Sequence, residues 1–307
     1  MMQASYTILS AQETARALPY PELVAQLGIA VAQSAAGTIV APARQVLDYP
    51  QTGRMLSMPA VSHDIGVHKL ANVMPDNPQQ GRGTMQGLVT VYDAHNGLPL
   101  LILDAPTLSE RRTAAVSMLG IQALWPQGPE HITLLGYGQQ ARAHCEAIMT
   151  LYPKAEVTLT GRSLEGARAV TAASQPRMGA RAQPAAASVP EKTDVLISLT
   201  SSLTPVYHEP ARLERLLIGV GAFTPEMAEF EAHTVLASRL YVDDLTGARK
   251  EAGDLLQADV NWDQVQGIHQ VLRSPAPKDK PVFFKSVGSA AWDLAAARCA
   301  LHQRQQI

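Results

Sequence analysis

The sequence predicts an α/β protein: a parallel sheet wound with helices from about residue 113 onward, preceded by an α+β unit with a mainly antiparallel sheet. Three observations carry this. After residue 113 short apolar strands alternate with helical stretches, the pattern of βαβ units. Before it, β-like segments over 37–49, 53–62, 63–73 and 86–105 are separated by Gly, Pro and Asn turns. The third is a glycine-rich turn, Gly136-Tyr137-Gly138, set between a strand and a helix.

The elements follow in order. Helical spacing appears early only around Ala11–Gln33. Asn96-Gly97, between two apolar runs, is the strongest hairpin signal in the chain. Thr113–Trp125 carries small and apolar residues at helical spacing. Strands are then expected at His131–Leu135, Ala155–Thr160, Asp194–Leu199, Leu216–Val220 and Leu240–Val242, with helices at Gln139–Leu151 and Leu164–Ser174. The Ala- and Pro-rich stretch Gln175–Pro190 reads as a surface connection, and Ala290–Ala300 as a final helix packing back on the first part. No 20–50-residue period recurs, which excludes solenoids and propellers.

Composition narrows the function classes. The chain has 307 residues, 46% hydrophobic and only 17% charged, against about a quarter charged in an ordinary globular protein. That excludes a disordered chain. A formal net charge of -2 offers no broad cationic face, so nucleic acid is not an expected partner. Cys145 and Cys299 are too few for a disulfide framework or a four-ligand zinc site and read as reduced core thiols. His63, His68 and His95 lack ligand spacing, and no metal is expected. The first twenty residues show no basic segment followed by an apolar one, and no run suits a membrane helix. A soluble cytoplasmic protein is the expectation.

Gly136-Tyr137-Gly138-Gln139-Gln140-Ala141 is G-x-G-x-x-A directly after a strand and before a helix. Gly136 permits the tight turn, Gly138 lets a pyrophosphate approach the backbone, and Ala141 keeps helix and strand close; the helix N-terminus supplies N–H groups to the phosphates. The next strand ends Thr160-Gly161-Arg162-Ser163, without the carboxylate that holds a ribose 2′-hydroxyl; Glu156 is at its wrong end and Glu165 lies inside the following helix. Arg162 with Ser163 suits a 2′-phosphate, so NADPH is expected ahead of NADH. In a charge-poor chain Arg44, Lys69, Arg111 and Arg112 stand out. Each alone reads as a surface cation; together they suit a substrate carboxylate.

A set of ordered pieces now carries a family resemblance: Met58-Pro59-Ala60, Lys69, Pro75-Asp76-Asn77, Gly97 with Pro99, Leu108, and Arg112-Thr113-Ala114-Ala115. It continues through Gly136-Tyr137-Gly138, Thr200, Pro205, Gly221 to Pro225, Glu251-Ala252-Gly253-Asp254, Phe284-Lys285-Ser286-Val287-Gly288 and Asp293. Over nearly its whole length the chain resembles the ornithine cyclodeaminase/mu-crystallin family. The resemblance implies a homodimer of two-domain subunits. Residues 1–112 with 289–307 would form a discontinuous substrate and dimerisation domain, and residues 113–288 a Rossmann-type dinucleotide-binding domain. It also implies that Arg44, Lys69 and Arg112 hold the substrate carboxylate, and that Thr84 and Arg112 lie at the cofactor phosphates. Gln139 and Gln140 would lie on the pyrophosphate turn, Thr200 beside the cofactor, and Ser286 with Val287 near nicotinamide and substrate.

One departure bears on the reaction. Ornithine cyclodeaminases of this family carry an aspartate for the substrate amine in the segment after the fourth strand; here Phe223 stands there, and a phenyl ring can neither accept a proton nor pair with ammonium. The segment is instead similar to the ketimine reductase branch, and an apolar wall at Phe223 fits a hydrocarbon ring. The expected activity is NADPH-dependent reduction of Δ1-piperideine-2-carboxylate and Δ1-pyrroline-2-carboxylate to L-pipecolate and L-proline. Lys69 would be the acid if burial lowers its pKa, or purely electrostatic if the imine arrives protonated. The rivals are an open-chain amino-acid dehydrogenase of the alanine type, an ornithine cyclodeaminase, and a crystallin-like protein that binds NADPH without turnover. Asp243 and Asp244, after the fifth strand, read as a structural cap or as catalytic carboxylates.

Overall fold

The structure is a computed structural model that describes residues 6–161, 163–178, 182–184 and 189–305. The chain divides into two compact units, residues 1–112 with 289–307, and residues 113–288. Among the described residues no helix is long and apolar enough to cross a membrane.

The first unit opens with β1 (Thr7–Ile8), α1 (Ala11–Arg16) and α2 (Tyr20–Ala35). Ser10 and Glu13 close α1 with a reciprocal capping box, satisfying two N–H groups that the first turn leaves orphaned. Along α2 the buried Tyr20, Leu23, Val24, Leu27, Ala30 and Val31 repeat at helical spacing, which gives that helix one apolar face. Then come β2 (Gln45–Asp48), β3 (Arg54–Val61), β4 (Ile65–Val73), β5 (Met85–Asp93) and β6 (Pro99–Asp104). They form a sheet in the order β1-β6-β5-β4-β3-β2, antiparallel except where β1 runs parallel to β6. The expected Asn96-Gly97 hairpin joins β5 to β6, with Gly97 at φ +73°, a left-handed turn that glycine adopts without strain. At the far end of the chain, α9 (Ala290–Gln305) packs on α2, β3 and β4, where the sequence placed it. Its Arg298 donates to both Asp64 carboxylate oxygens, to Ser62 and to Gln33.

Between these segments α3 (Ala105–Leu124) leads into the second unit. It begins at Ala105, ahead of the Thr113 start that the sequence suggested. Asp104 accepts from the Thr107 amide, and Pro106 falls in the first turn, where its missing N–H costs nothing. Arg111 and Arg112 therefore lie inside the helix and not ahead of it.

The second unit holds β7 (His131–Leu135), α4 (Gln139–Leu151), β8 (Glu156–Thr160), α5 (Leu164–Met178), β9 (Ala182–Pro184), β10 (Val195–Ser198), β11 (Leu216–Gly219), α6 (Ala232–Leu236), β12 (Arg239–Val242), α7 (Leu245–Glu251), α8 (Gly253–Gln257), β13 (Gln266–Gly267) and β14 (Val282–Lys285). The sheet order is β13-β12-β14-β11-β10-β7-β8-β9, and every pairing is parallel. This is the Rossmann-type α/β fold the sequence predicted. Strands such as β10 and β11 are buried at every position, as a sheet covered on both faces requires. Two differences stand out. The stretch expected as a connection after Ser174 continues as helix to Met178 and then supplies β9 against β8. Strand β14, which the sequence pattern does not announce, inserts between β11 and β12.

Candidate active site

In the first unit the middle of β4 places Lys69 between Met58 on β3 and Val89 on β5. Its Nζ lies 2.7 Å from Asp293 Oδ2 on α9, and Arg112 Nε donates to the other oxygen, Oδ1, at 3.2 Å. All three side chains are buried. Alone, each of these cations reads as a surface residue; the fold instead draws two of them onto one shared carboxylate. Burial pushes the Lys69 ammonium down to about 8, helped by the positive fields of Arg112 and Arg44, while Asp293 pulls the other way. Two cations on one buried anion leave positive charge for a second anion, and guanidinium suits a carboxylate. Arg44 is half-buried just ahead of β2, close enough for its charge to reach Lys69. Thr84 is exposed just before β5. Arg111 is engaged elsewhere, its Nε donating to the Leu18 carbonyl and its guanidinium covering the Tyr20 ring.

Asp293 belongs to the ordered family pattern, but the sequence does not single it out as a site residue. Its only signal is that of a lone acid in an otherwise small and apolar stretch, AAWDLAAARCA.

In the second unit the glycine-rich turn joins β7 to α4. Gly136 has φ +112°, and a Cβ there would press on the Leu199 carbonyl at 3.2 Å. A Cβ on Gly138 would meet only open space, and Gly138 caps α4 with no side-chain hydrogen bond. The helix thus presents N–H groups to an open face, the arrangement that receives a pyrophosphate. Gln139 is exposed and Gln140 half-buried on this turn. The Tyr137 ring lies against Gly161 and Gly166, where a Cβ would come within 3.0 Å and 2.4 Å of it. Arg162 lies outside the described residues. Ser163 Oγ accepts from the Gly166 amide, which caps α5 and leaves its hydroxyl proton to point elsewhere. Glu156 is engaged by Lys192 and His131 at the opposite end of β8.

The remaining candidates sit after the other strands of this sheet. Thr200 follows β10 and donates both its amide and its hydroxyl to Glu229. Phe223, after β11, is 44% exposed. Ser286 Oγ, the Val287 amide and the Gly288 amide all donate to Asp243, at 2.8, 3.0 and 2.9 Å. Asp244 caps α7 through the Thr246 and Gly247 amides. Of the two readings left open for these aspartates, the contacts are those of caps and loop anchors. Cys145 and Cys299 are both buried and free of a disulfide.

The fold and these clusters define a two-unit α/β protein with a Rossmann-type parallel sheet and a buried cluster of two cations on one carboxylate. The Ornithine cyclodeaminase/mu-crystallin family matches residues 5–306, and the chain belongs to that family. It is 48% identical over 293 residues to the Δ1-pyrroline-2-carboxylate/Δ1-piperideine-2-carboxylate reductase of Azospirillum brasilense, covering 95% of this chain and 94% of that one. It is 47% identical over 290 residues to Δ1-pyrroline-2-carboxylate reductase 2 of Burkholderia ambifaria, covering 94% and 93%. In fold it is similar to the Thermococcus litoralis Δ1-pyrroline-2-carboxylate reductase solved with NADH and L-proline, with a TM-score of 0.87 at 20% identity over 97% of each chain.

Proposed function

We propose that this protein is a cytoplasmic, homodimeric reductase that uses NADPH to convert Δ1-piperideine-2-carboxylate and Δ1-pyrroline-2-carboxylate to L-pipecolate and L-proline. The observation that carries the reading is the buried Lys69–Asp293–Arg112 cluster, seen together with near-half identity to curated reductases of these imino acids. The first unit, residues 1–112 with 289–307, serves as the substrate and dimerisation domain, and residues 113–288 as the dinucleotide-binding domain.

The residues of the second unit fit a dinucleotide: Gly136 and Gly138 hold the pyrophosphate against α4, with Gln139, Gln140 and Thr200 beside it and Ser286 near the nicotinamide. Thr84 and Arg112 serve its phosphates. Arg162 and Ser163 receive the 2′-phosphate, and no carboxylate in 160–163 opposes that charge. When bound, the reduced nicotinamide supplies a hydride to the imine carbon. Arg44 and Arg112 grip the substrate carboxylate, and Phe223 and Val287 wall its apolar ring. Lys69, held by Asp293, gives its proton to the ring nitrogen; burial weakens its hold on that proton, which makes it a usable acid near neutral pH.

The test is the loss of reduced-nicotinamide absorbance with Δ1-piperideine-2-carboxylate, run with NADPH and NADH. Rapid oxidation favouring NADPH is expected. Ammonia release from ornithine with NAD, and no imine reduction, would overturn the reading.

A further inference from the structure

A buried carboxylate that neither the glycine-rich turn nor the Lys69 cluster contains organises two loops at the carboxyl end of the second sheet. Glu229 follows the end of β11 in the chain and is fully buried. Its Oε1 accepts from Ser198 Oγ at 2.6 Å, the Thr200 amide at 2.7 Å and Thr200 Oγ1 at 2.9 Å. Its Oε2 accepts from the Gly221 and Ala222 amides at 2.7 and 3.2 Å. One side chain thus binds the end of β10 and the loop after β11, which run so close that a Cβ on Gly221 would lie 1.7 Å from the Thr200 carbonyl. The carboxylate is itself anchored. Asp254 accepts from the Glu229 and Phe230 amides at 2.6 and 3.0 Å, and Lys285 Nζ lies 2.9 Å from Asp254 and 3.9 Å from Glu229. Gly253, beside Asp254, presses under the Thr224 and Met227 carbonyls, leaving no room for a Cβ.

We infer that Glu229 is a positioning residue for the reaction: it fixes Thr200 and the Gly221–Phe223 loop in the geometry that the nicotinamide end of the dinucleotide and the substrate ring require. The inference rests on the reading of Thr200 and Phe223 as cofactor- and substrate-facing residues. The chemistry requires a carboxylate. Five donors converge on two acceptor oxygens, and an amide of equal size would turn an N–H₂ group against N–H or O–H donors. The loops then separate, and because hydride transfer is steep in distance and angle, a small displacement removes turnover without removing the dinucleotide's adenine-side contacts.

The experiment is Glu229→Gln, with Ser198→Ala as the milder variant that still folds if the first does not. Three readouts apply: kcat and KM per folded enzyme, affinity for 2′,5′-ADP as the adenine half alone, and amide hydrogen exchange of the ligand-free protein. Glu229→Gln should lower kcat roughly 30- to 100-fold with unchanged 2′,5′-ADP affinity. Exchange should rise about tenfold in peptides spanning 198–202 and 219–224 only. Ser198→Ala should lower kcat roughly threefold to tenfold with the same 2′,5′-ADP affinity. A kcat near wild type, or a parallel loss of 2′,5′-ADP affinity and of protection across the whole unit, would overturn the inference. If the wild-type protein reduces no cyclic imino acid, the proposed reaction fails; exchange confined to the two loops with intact 2′,5′-ADP binding would still uphold the clamp.

Discussion

Lys69 Nζ and Asp293 Oδ2 stand 2.7 Å apart with both side chains buried. The contact joins the middle of a strand near the start of the chain to a helix at its end. An isolated buried ammonium is costly, and so is an isolated buried carboxylate; each is tolerated because the other, with Arg112, is present. The same contact explains why the last helix belongs to the first unit. It completes a cluster that the first 112 residues hold only in part.

The pH dependence of turnover follows from that cluster. Lys69 is depressed to about 8, mainly by burial, so an enzyme that uses it as the acid, as proposed above, loses that acid as pH rises through that value. Wild-type kcat/KM is expected to fall about tenfold per unit well above pH 8. Lys69→Met should retain at most about one part in a hundred of the activity, and its residual profile should lack this limb. A residual profile that keeps the same limb would assign it to the substrate's own titration.

Replacing Asp293 by Asn removes the negative charge that supports protonated Lys69. Without it, desolvation and the fields of Arg112 and Arg44 act unopposed, so the limb of the kcat/KM profile should move to lower pH, by roughly a unit or more. Stability should also fall, by up to about 3–5 kcal/mol where the buried cations stay charged. Lys69 escapes part of that loss by releasing its proton. Urea denaturation and the pH profile measured on the same variant check both statements; an unmoved limb would remove Asp293 from the acid's surroundings.

Local chemistry is readable from the sequence, and long-range pairing is not. His131–Leu135 and Gln139–Leu151 have the bounds the sequence suggests, because a run of apolar residues ending in G-x-G fixes where strand stops and helix starts. The helix containing Arg112 starts earlier than its small-residue pattern implies, because Pro106 serves as a first-turn residue and not as a break. Strand β14 is four residues long, like β10 and β11, but it follows a Pro- and Lys-rich segment with no α-helix between β13 and it, so no alternation of strand and helix marks it. The burial of Lys69 is hinted at by its apolar neighbours, yet the carboxylate that makes burial tolerable lies on another element altogether. Glu229, within MAEFEAH, has no local mark at all; its five donors come together only when β10 and β11 lie side by side.

Dinucleotide choice should depend on Arg162. If it grips the 2′-phosphate, Arg162→Ala removes charge-assisted hydrogen bonds worth about 1.5–3 kcal/mol, lowering kcat/KM for NADPH roughly 10- to 100-fold. Activity with NADH, which lacks that phosphate, should hardly change. Equal losses with both dinucleotides would mean that Arg162 supports the turn after β8 without reading the phosphate.

His144 makes the second unit acid-sensitive. It is buried in α4, with Nδ1 2.8 Å from the Gln140 carbonyl and Nε2 2.9 Å from Ser117 Oγ, a pairing that the neutral ring satisfies by donating from Nδ1 and accepting at Nε2. Burial pushes its pKa from 6.5 down to about 4. Between those values the unfolded chain binds a proton that the folded chain refuses, so stability falls as pH falls. The contribution is fully present above about 6.5, and roughly 2 kcal/mol of it is lost between pH 7.5 and pH 5. His144→Gln should start less stable at pH 7.5 but lose less on acidification, by about that amount. Urea denaturation of both proteins at the two pH values measures it. Parallel losses would show that carboxylates elsewhere, and not this ring, set the acid limit. Because the folded ring stays neutral down to about pH 4, titration of His144 should leave dinucleotide affinity at the neighbouring Gln140 turn unchanged between pH 7.5 and pH 5, even as stability falls.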